Sequence, residues 1–224
     1  YNFCMTIFVI AMKSEAKAVT DNMQGITEHT ACDKHIYRGT LCGRETCVVV
    51  TGVGKVNAAC GAQYAIDVLG ATKIINTGVA GGLNDGTKVG DIYGICAAVQ
   101  YDFDLVQLND TKIGTLNECD RPYLPLCTAG NYPLRKLASG DRFNDSPADF
   151  ELLTKELEAD IRDMECGAIA QACMHAGVKL YSFKAISDRA GSGSTTEQYM
   201  DNLATCNANM TQAIPHIFEE VENA

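Results

Sequence analysis

The chain has 224 residues, 46% of them hydrophobic and 21% charged, with 28 acids against 18 lysines and arginines for a formal net charge of −10. That is enough apolar material for one large α/β domain, and the acidic balance argues against a nucleic-acid phosphate backbone as partner. Eleven cysteines without a Cys-x-x-Cys pair, and four histidines scattered at 29, 35, 175 and 216, suggest no metal site; the thiols read as reduced, mostly buried side chains of a cytoplasmic protein.

Thr6 to Met12 is apolar, too short to span a bilayer and without the basic region of a secretory signal, so it reads as a buried strand. The chain begins at Tyr1, and residues 1–4 read as a possible tail before a single domain over 5–224. A helical pattern from Lys13 to Met23 sets Glu15 in the first turn, beside the strand's carboxyl end, where the helix dipole alone would favour an acid. His35 to Cys42 and Thr46 to Thr51 read as paired strands around a Gly43-Arg44 turn. Gly52-Val53-Gly54-Lys55-Val56-Asn57 then opens a helix to about Leu69. Asn57 replaces the third glycine of a dinucleotide fingerprint, so the inference is only that backbone amides at this helix start approach something closely. The strand Lys73 to Asn76 runs into Gly78, Gly81 and Gly82, which either leave room for a flat ring or a sugar or serve tight turns. Another strand is expected from Asp91 to Val99.

From Tyr101 to Arg121 the pattern loosens and leaves Leu105, Val106, Leu108 and Ile113 with the look of an interface loop. Leu134 to Ser139 reads as a strand leading to Phe143, either a core residue or a stacking surface for a base, with core favoured by sequence by itself. A helix from Pro147 to Leu157 follows. The stretch Ile161 to Arg189 holds two acidic clusters, Asp163-Met164-Glu165 and Ser187-Asp188, joined by a small-residue helix, Cys166 to Ala176, and a β-rich run, Val178 to Ile186. A helix opening at Glu165 would keep that carboxylate ionised, and a strand ending at Ile186 would present Asp188 on the loop beyond it, where open α/β sheets bind ligands. Singly, Asp163 reads as a helix cap and Asp188 as part of a turn before Gly191; together the acids point to a site. Ser194-Thr195-Thr196-Glu197 is a capping box for a long helix, Thr196 to Val221, with a kink expected at Pro215.

Seven segments in order resemble the motifs of the 5′-methylthioadenosine/S-adenosylhomocysteine nucleosidases of the purine and uridine phosphorylase superfamily: Ala11 to Glu15, Thr51 to Ala59, Ile75 to Gly82, Val89 to Ile92, Ser139 to Phe143, Asp163 to Glu165 and Ala185 to Asp188. The resemblance implies a three-layer α/β sandwich with a central mixed, mostly parallel twisted sheet flanked by helices. It implies cleavage of the N-glycosidic bond of a 5′-thioadenosine without cofactor or metal, in a homodimer with no nucleic-acid or membrane partner. By the same resemblance Asp188 would protonate the adenine, Glu165 would hold the ribose hydroxyls and Glu15 would bind the attacking water. Phe143 would stack on the base, the Asn144 backbone would read its edge, Met164 would pack on the sugar, and Met12, Val79, Ala80, Gly81, Lys184 and Ser187 would complete the substrate site. Leu105, Leu108 and Ile113 would reach the partner subunit's 5′ pocket.

Physical chemistry fits these implied roles. A departing purine leaves positive charge on the ribose, which an anion stabilises, and the purine leaves readily only when an acid protonates it. A free Asp, with pKa about 3.9, is mostly ionised at neutral pH, so Asp188 needs burial or nearby Glu charge to keep its proton. The sequence departs from the bacterial pattern at Lys184, where Arg is usual, at Asp163, where Glu is commoner, and in the short segment between Glu118 and Leu134; the first two resemble plant members. Methylthioadenosine, S-adenosylhomocysteine and deoxyfutalosine-type substrates stay open, as do a phosphorylase that uses phosphate and a non-catalytic adenosine-binding protein.

Overall fold

The computed structural model describes residues 5–224, so the tail at 1–4 lies outside the described residues. Apolar runs without alternation become strands covered on both faces. In β1 (Met5–Ile10) the last five side chains are buried, and the strand lies between β4 (Arg44–Val50) and β5 (Ala71–Gly82), parallel to both. β2 (Gln24–Ala31) and β3 (Lys34–Leu41) extend this side of the sheet as antiparallel hairpins. On the other side, β5 pairs with β10 (Lys179–Arg189), β10 with β6 (Ile92–Gln100), β6 with β8 (Leu134–Ser139), β8 with β9 (Ile161–Asp163), and β9 returns to β5. These five strands close a ring. The short β7 (Leu124–Pro125) pairs with β6 and is the only regular element between Glu118 and Leu134 among the described residues.

The sheet is mixed, but not mostly parallel as expected: among the described residues five strand pairings are parallel and five antiparallel. The hairpins of β2, β3 and β4 and the antiparallel contacts of β10 with β6, of β7 with β6 and of β9 with β5 account for the difference. The turn between β3 and β4 is Cys42-Gly43, not Gly43-Arg44. Both residues have positive φ, 50° and 76°, as a two-residue hairpin turn that follows the strand twist requires.

Helices cover both faces. α2 (Lys55–Asp67) and α5 (Cys166–Ala176) pack together over Ile7, Val9 and Ile74, with Ile169 of α5 in the same cluster, while α1 (Lys13–Thr20) and α6 (Thr195–Asn223) pack over Phe8, Ile10, Ile75 and Phe183. α6 buries Cys206, Met210, Ile214, Ile217, Phe218 and Val221, a stripe at helical spacing. It runs through Pro215 as one helix. The proline removes the N–H that would bond the Thr211 carbonyl, and Asn22 Nδ2 donates to that oxygen instead, at 2.8 Å. α4 (Pro147–Glu151) is shorter than the expected helix because the chain widens into a π-helical turn, Leu152–Glu156, before Leu157. The short α3 (Val106–Asn109) lies in the 101–121 loop.

Two further features bear on the site. Small residues let α5 press on the sheet: a Cβ on Gly167 would stand 3.1 Å from both the Ser139 Cβ and the Val99 carbonyl, so the amino end of α5 is drawn against β6 and β8. The ten described cysteines are free thiols, yet only Cys47, Cys166, Cys173 and Cys206 are buried, and Cys32, Cys42 and Cys60 are exposed, so mostly buried cysteines are not what the fold holds. Cys32 and Cys42 occupy positive-φ turn positions, which sets them at the surface.

Candidate active site

The carboxyl ends of β1, β5 and β10 meet below the amino ends of α1, α5 and α6, and a cavity of about 460 Å³ opens there. Met12, Glu15, Val79, Ala80, Gly81, Phe143, Met164, Glu165, Ser187 and Asp188 all line it. Glu15 is 6% exposed, and its carboxylate accepts the Met12 N–H at 3.2 Å and the Val79 N–H at 2.9 Å. It fits because residue 78 is glycine: a Cβ there would lie 2.6 Å from Glu15 Oε1. Burial raises its pKa, with Lys184 and the two backbone N–H groups opposing.

Glu165 stands at the start of α5 and accepts the Gly54 N–H at 2.9 Å. The close approach expected of the Gly52-x-Gly54 turn is therefore to this carboxylate, and the neighbouring Lys55 N–H is taken by Asp141 at 2.8 Å. The helix start does not keep Glu165 firmly ionised, contrary to the sequence expectation. Burial first, and then the Asp163 charge, push its pKa up to about 7 against Lys184 and the Gly54 N–H. Asp163, two residues before the N-cap Glu165, supplies the side-chain acceptor at the helix start: it accepts the Cys166 N–H at 3.0 Å and the Ser139 hydroxyl, and pairs with Lys184 Nζ at 2.9 Å. Two of the three departures noted in the sequence, Lys184 and Asp163, thus meet in one ion pair.

Asp188 is not on a loop. β10 continues to Arg189, and its register against β5 slips between Ile186, opposite Ala80, and Asp188, opposite Gly81. Ser187 is the extra residue of this bulge, and a bulge re-aims the side chains beside it. α6 holds the bulge, with Asn202 Nδ2 donating to the Ser187 carbonyl at 3.0 Å. The Ser187 hydroxyl donates to Asp188 Oδ2 at 2.8 Å, while Oδ1 is buried with no hydrogen-bond partner. Burial raises the Asp188 pKa, with Ser187 and Arg162 opposing and Asp145 adding to the rise.

A family model described as Phosphorylase superfamily matches residues 6–219. The chain belongs to this superfamily. It is 30% identical over 219 residues to a 5′-methylthioadenosine/S-adenosylhomocysteine nucleosidase of Halalkalibacterium halodurans, covering 91% of this chain and 94% of that protein. The nucleosidase of the same name from Geobacillus kaustophilus is 28% identical over 225 residues, covering 94% and 96%. Among solved structures, the chain has a TM-score of 0.86 and 24% identity to the Neisseria meningitidis nucleosidase in complex with methylthio-immucillin-A, covering 96% of this chain and 99% of that one. For the Helicobacter pylori futalosine hydrolase the TM-score is 0.88 at 21% identity, covering 97% and 98%. These two likenesses are of fold.

Within this superfamily fold, several sequence expectations take a different place. Phe143 is not core: it is 51% exposed at the cavity mouth, edge-on to Tyr199 with ring centroids 5.7 Å apart, because the strand before it ends and the chain turns outward. Lys184 does not line the cavity but lies buried behind it, paired with Asp163. Asn144 is also outside the lining, and its carbonyl accepts from Arg162 at 2.9 Å. Leu105, Leu108 and Ile113, expected at a partner subunit's pocket, are not among the residues lining this chain's cavity; Leu108 is 76% exposed and Ile113 packs on Leu83, Val99 and their neighbours. Sequence reading missed Arg142, Arg162, Thr196, Tyr199 and Met200, all of which line the cavity. The capping box fixed where α6 starts, but which of its side chains faces β10 is a matter of packing across the molecule. Among the described residues no group of three or more His, Cys, Asp or Glu is placed to hold a metal ion.

Proposed function

We propose that this protein hydrolyses the N-glycosidic bond of 5′-thioadenosines, 5′-methylthioadenosine and S-adenosylhomocysteine being the candidate substrates, to adenine and a 5-thioribose. The observation that carries the reading is the convergence of Glu15, Glu165 and Asp188 on one cavity while Asp188 Oδ1 lacks a partner within the protein. The nucleosidase relatives over more than nine-tenths of the chain support it.

Asp188, whose pKa burial raises, gives its proton to the base as the C–N bond breaks and the bonding electrons leave with the purine. Positive charge grows on the ribose, and Glu165 beside it stabilises that charge as an anion while accepting from the ribose hydroxyls. A water attacks the sugar carbon from the side of Glu15, which takes the water's proton. Phe143 and Met164 pack on base and sugar, and Met12, Val79, Ala80, Gly81 and Ser187 form the walls. Phosphate fits this site poorly. Lys184, the largest opposing charge on Glu15, is already paired with Asp163, and Glu15 would repel an anionic nucleophile.

In the same reading the protein is a cytoplasmic homodimer. Exposed Val106 and Leu108 supply apolar surface of the kind a subunit interface covers, and with Leu105 and Ile113 they reach the partner's 5′ pocket. Adenine release from a panel of 5′-substituted adenosines tests the substrate class. Release from the 5′-thio compounds and much less from adenosine is expected; equal turnover of adenosine, or none of the panel, would overturn it.

A further inference from the structure

Arg162 has no part in the chemistry above, yet it lies where three walls of the cavity meet. From β9 it pairs with Gly81 of β5, and its side chain passes over that glycine: a Cβ on Gly81 would stand 3.2 Å from Arg162 Nε and 2.8 Å from the unpartnered Asp188 Oδ1. Guanidinium and acid thus occupy the same small space. One end of the guanidinium donates to the Asn144 carbonyl at 2.9 Å, next to Phe143, and the other to the Thr195 hydroxyl at 3.3 Å, in the first turn of α6, the helix that carries Tyr199 and Met200. Asp145 completes the tie from the loop side by accepting the Thr195 N–H at 3.3 Å and the Thr195 hydroxyl.

We propose that Arg162 is a positioning residue that locks the base-side wall of the site, holding the Phe143 loop, the start of α6 and the carboxyl group of Asp188 in one arrangement. The planar fork suits the task, because one rigid side chain bonds two elements at once while its charge stands beside a third. The ionisable groups that face Asp188 are Arg162 from β9, Asp145 from the loop, and Tyr199 and Cys206 from α6. Arg162 is the cation among them, and it opposes the upward push of burial on Asp188.

The proposal rests on reading Asp188 as the group that meets the base, and its test is separable from turnover. Adenine is titrated calorimetrically into the parent protein, Arg162→Met, Arg162→Lys and Thr195→Val. The Asp188 carboxyl is titrated in the same proteins without substrate by 13C NMR, its signal assigned from Asp188→Asn. In Arg162→Met, adenine affinity falls about tenfold as the wall loses both guanidinium hydrogen bonds, and the Asp188 midpoint moves up by about half a pH unit or more. Arg162→Lys keeps the midpoint, because the charge remains, without restoring the affinity, because an ammonium lacks the fork. Thr195→Val weakens adenine binding and leaves the midpoint in place. An Arg162→Met protein whose adenine affinity stays within about twofold of the parent, or whose Asp188 midpoint is unmoved, overturns the proposal. Failure of the parent to release adenine from a 5′-thioadenosine would instead overturn the functional reading, leaving the carboxyl titration to decide on Arg162.

Discussion

Asp188 and Glu165 carry the same functional group in different surroundings, and the surroundings divide their work. Asp188 has one oxygen that accepts from Ser187 and one buried oxygen without a partner, and burial raises its pKa against the Ser187 bond, which suits it to carry a proton to the base. Asp188→Asn removes the acid without changing the shape, and adenine release should drop by roughly 10²- to 10⁴-fold with nucleoside binding largely kept. Turnover within about tenfold of the parent would rule Asp188 out as the acid. Glu165 is held at the start of α5 with its pKa pushed up to about 7, so it is an anion only toward neutral and alkaline pH. The folded state then binds a proton that the unfolded chain has already lost. The stability this proton gives is full below the ordinary carboxylate pKa and is lost as pH rises through about 7. Glu165→Gln keeps the acceptor for Gly54 and removes the titration. It should therefore gain about 2 to 6 °C in Tm over the parent at pH 8 and much less at pH 5, read by thermal unfolding at both values. A difference that does not change with pH would place the Glu165 pKa elsewhere.

Glycines at the ends of elements carry much of the precision of this site. Gly78 in β5 lies against the Glu15 carboxylate, so Gly78→Ala must displace the acid or the strand. The expected result is a fall in kcat of about tenfold or more and a loss of about 1 to 3 kcal/mol in stability by denaturant unfolding, as for overpacking in a core. An unchanged kcat would show that the placement of Glu15 is not critical. Most elements were legible in the sequence because burial leaves a pattern: α5 and β8 were read at their observed limits, and β1 nearly so. β2 left none, since seven of its eight residues are exposed and it is held only by pairing with β3. β5 was read too short because a run of glycines looks like a turn, whereas here the strand continues through them and makes room for Glu15 and Asp188. The acids themselves were legible from their motifs. Arg162, Tyr199 and the Ser187 bulge were not, since their placement depends on strand register and on helix packing between segments far apart in sequence.

At the scale of the whole molecule, the site lies where the closed ring of strands meets both helical layers, so each catalytic group comes from a different element and is held by neighbours from others. The apolar 101–113 loop does not line this cavity in its own chain, which is why its proposed work is on a partner subunit. Leu108→Asp should shift sedimentation toward monomer and raise KM for 5′-thioadenosines; a parent protein that is monomeric at micromolar concentration and fully active would defeat the shared site. The measurement that tests the central claim most directly is the fate of the sugar. The protein is incubated with 5′-methylthioadenosine in phosphate buffer and in a phosphate-free buffer of equal ionic strength, and the products are followed by phosphorus NMR and mass spectrometry. Hydrolysis through Glu15 predicts adenine and free 5-methylthioribose at the same initial rate in both buffers. A 5-methylthioribose 1-phosphate product, or a rate that depends on phosphate, would contradict it.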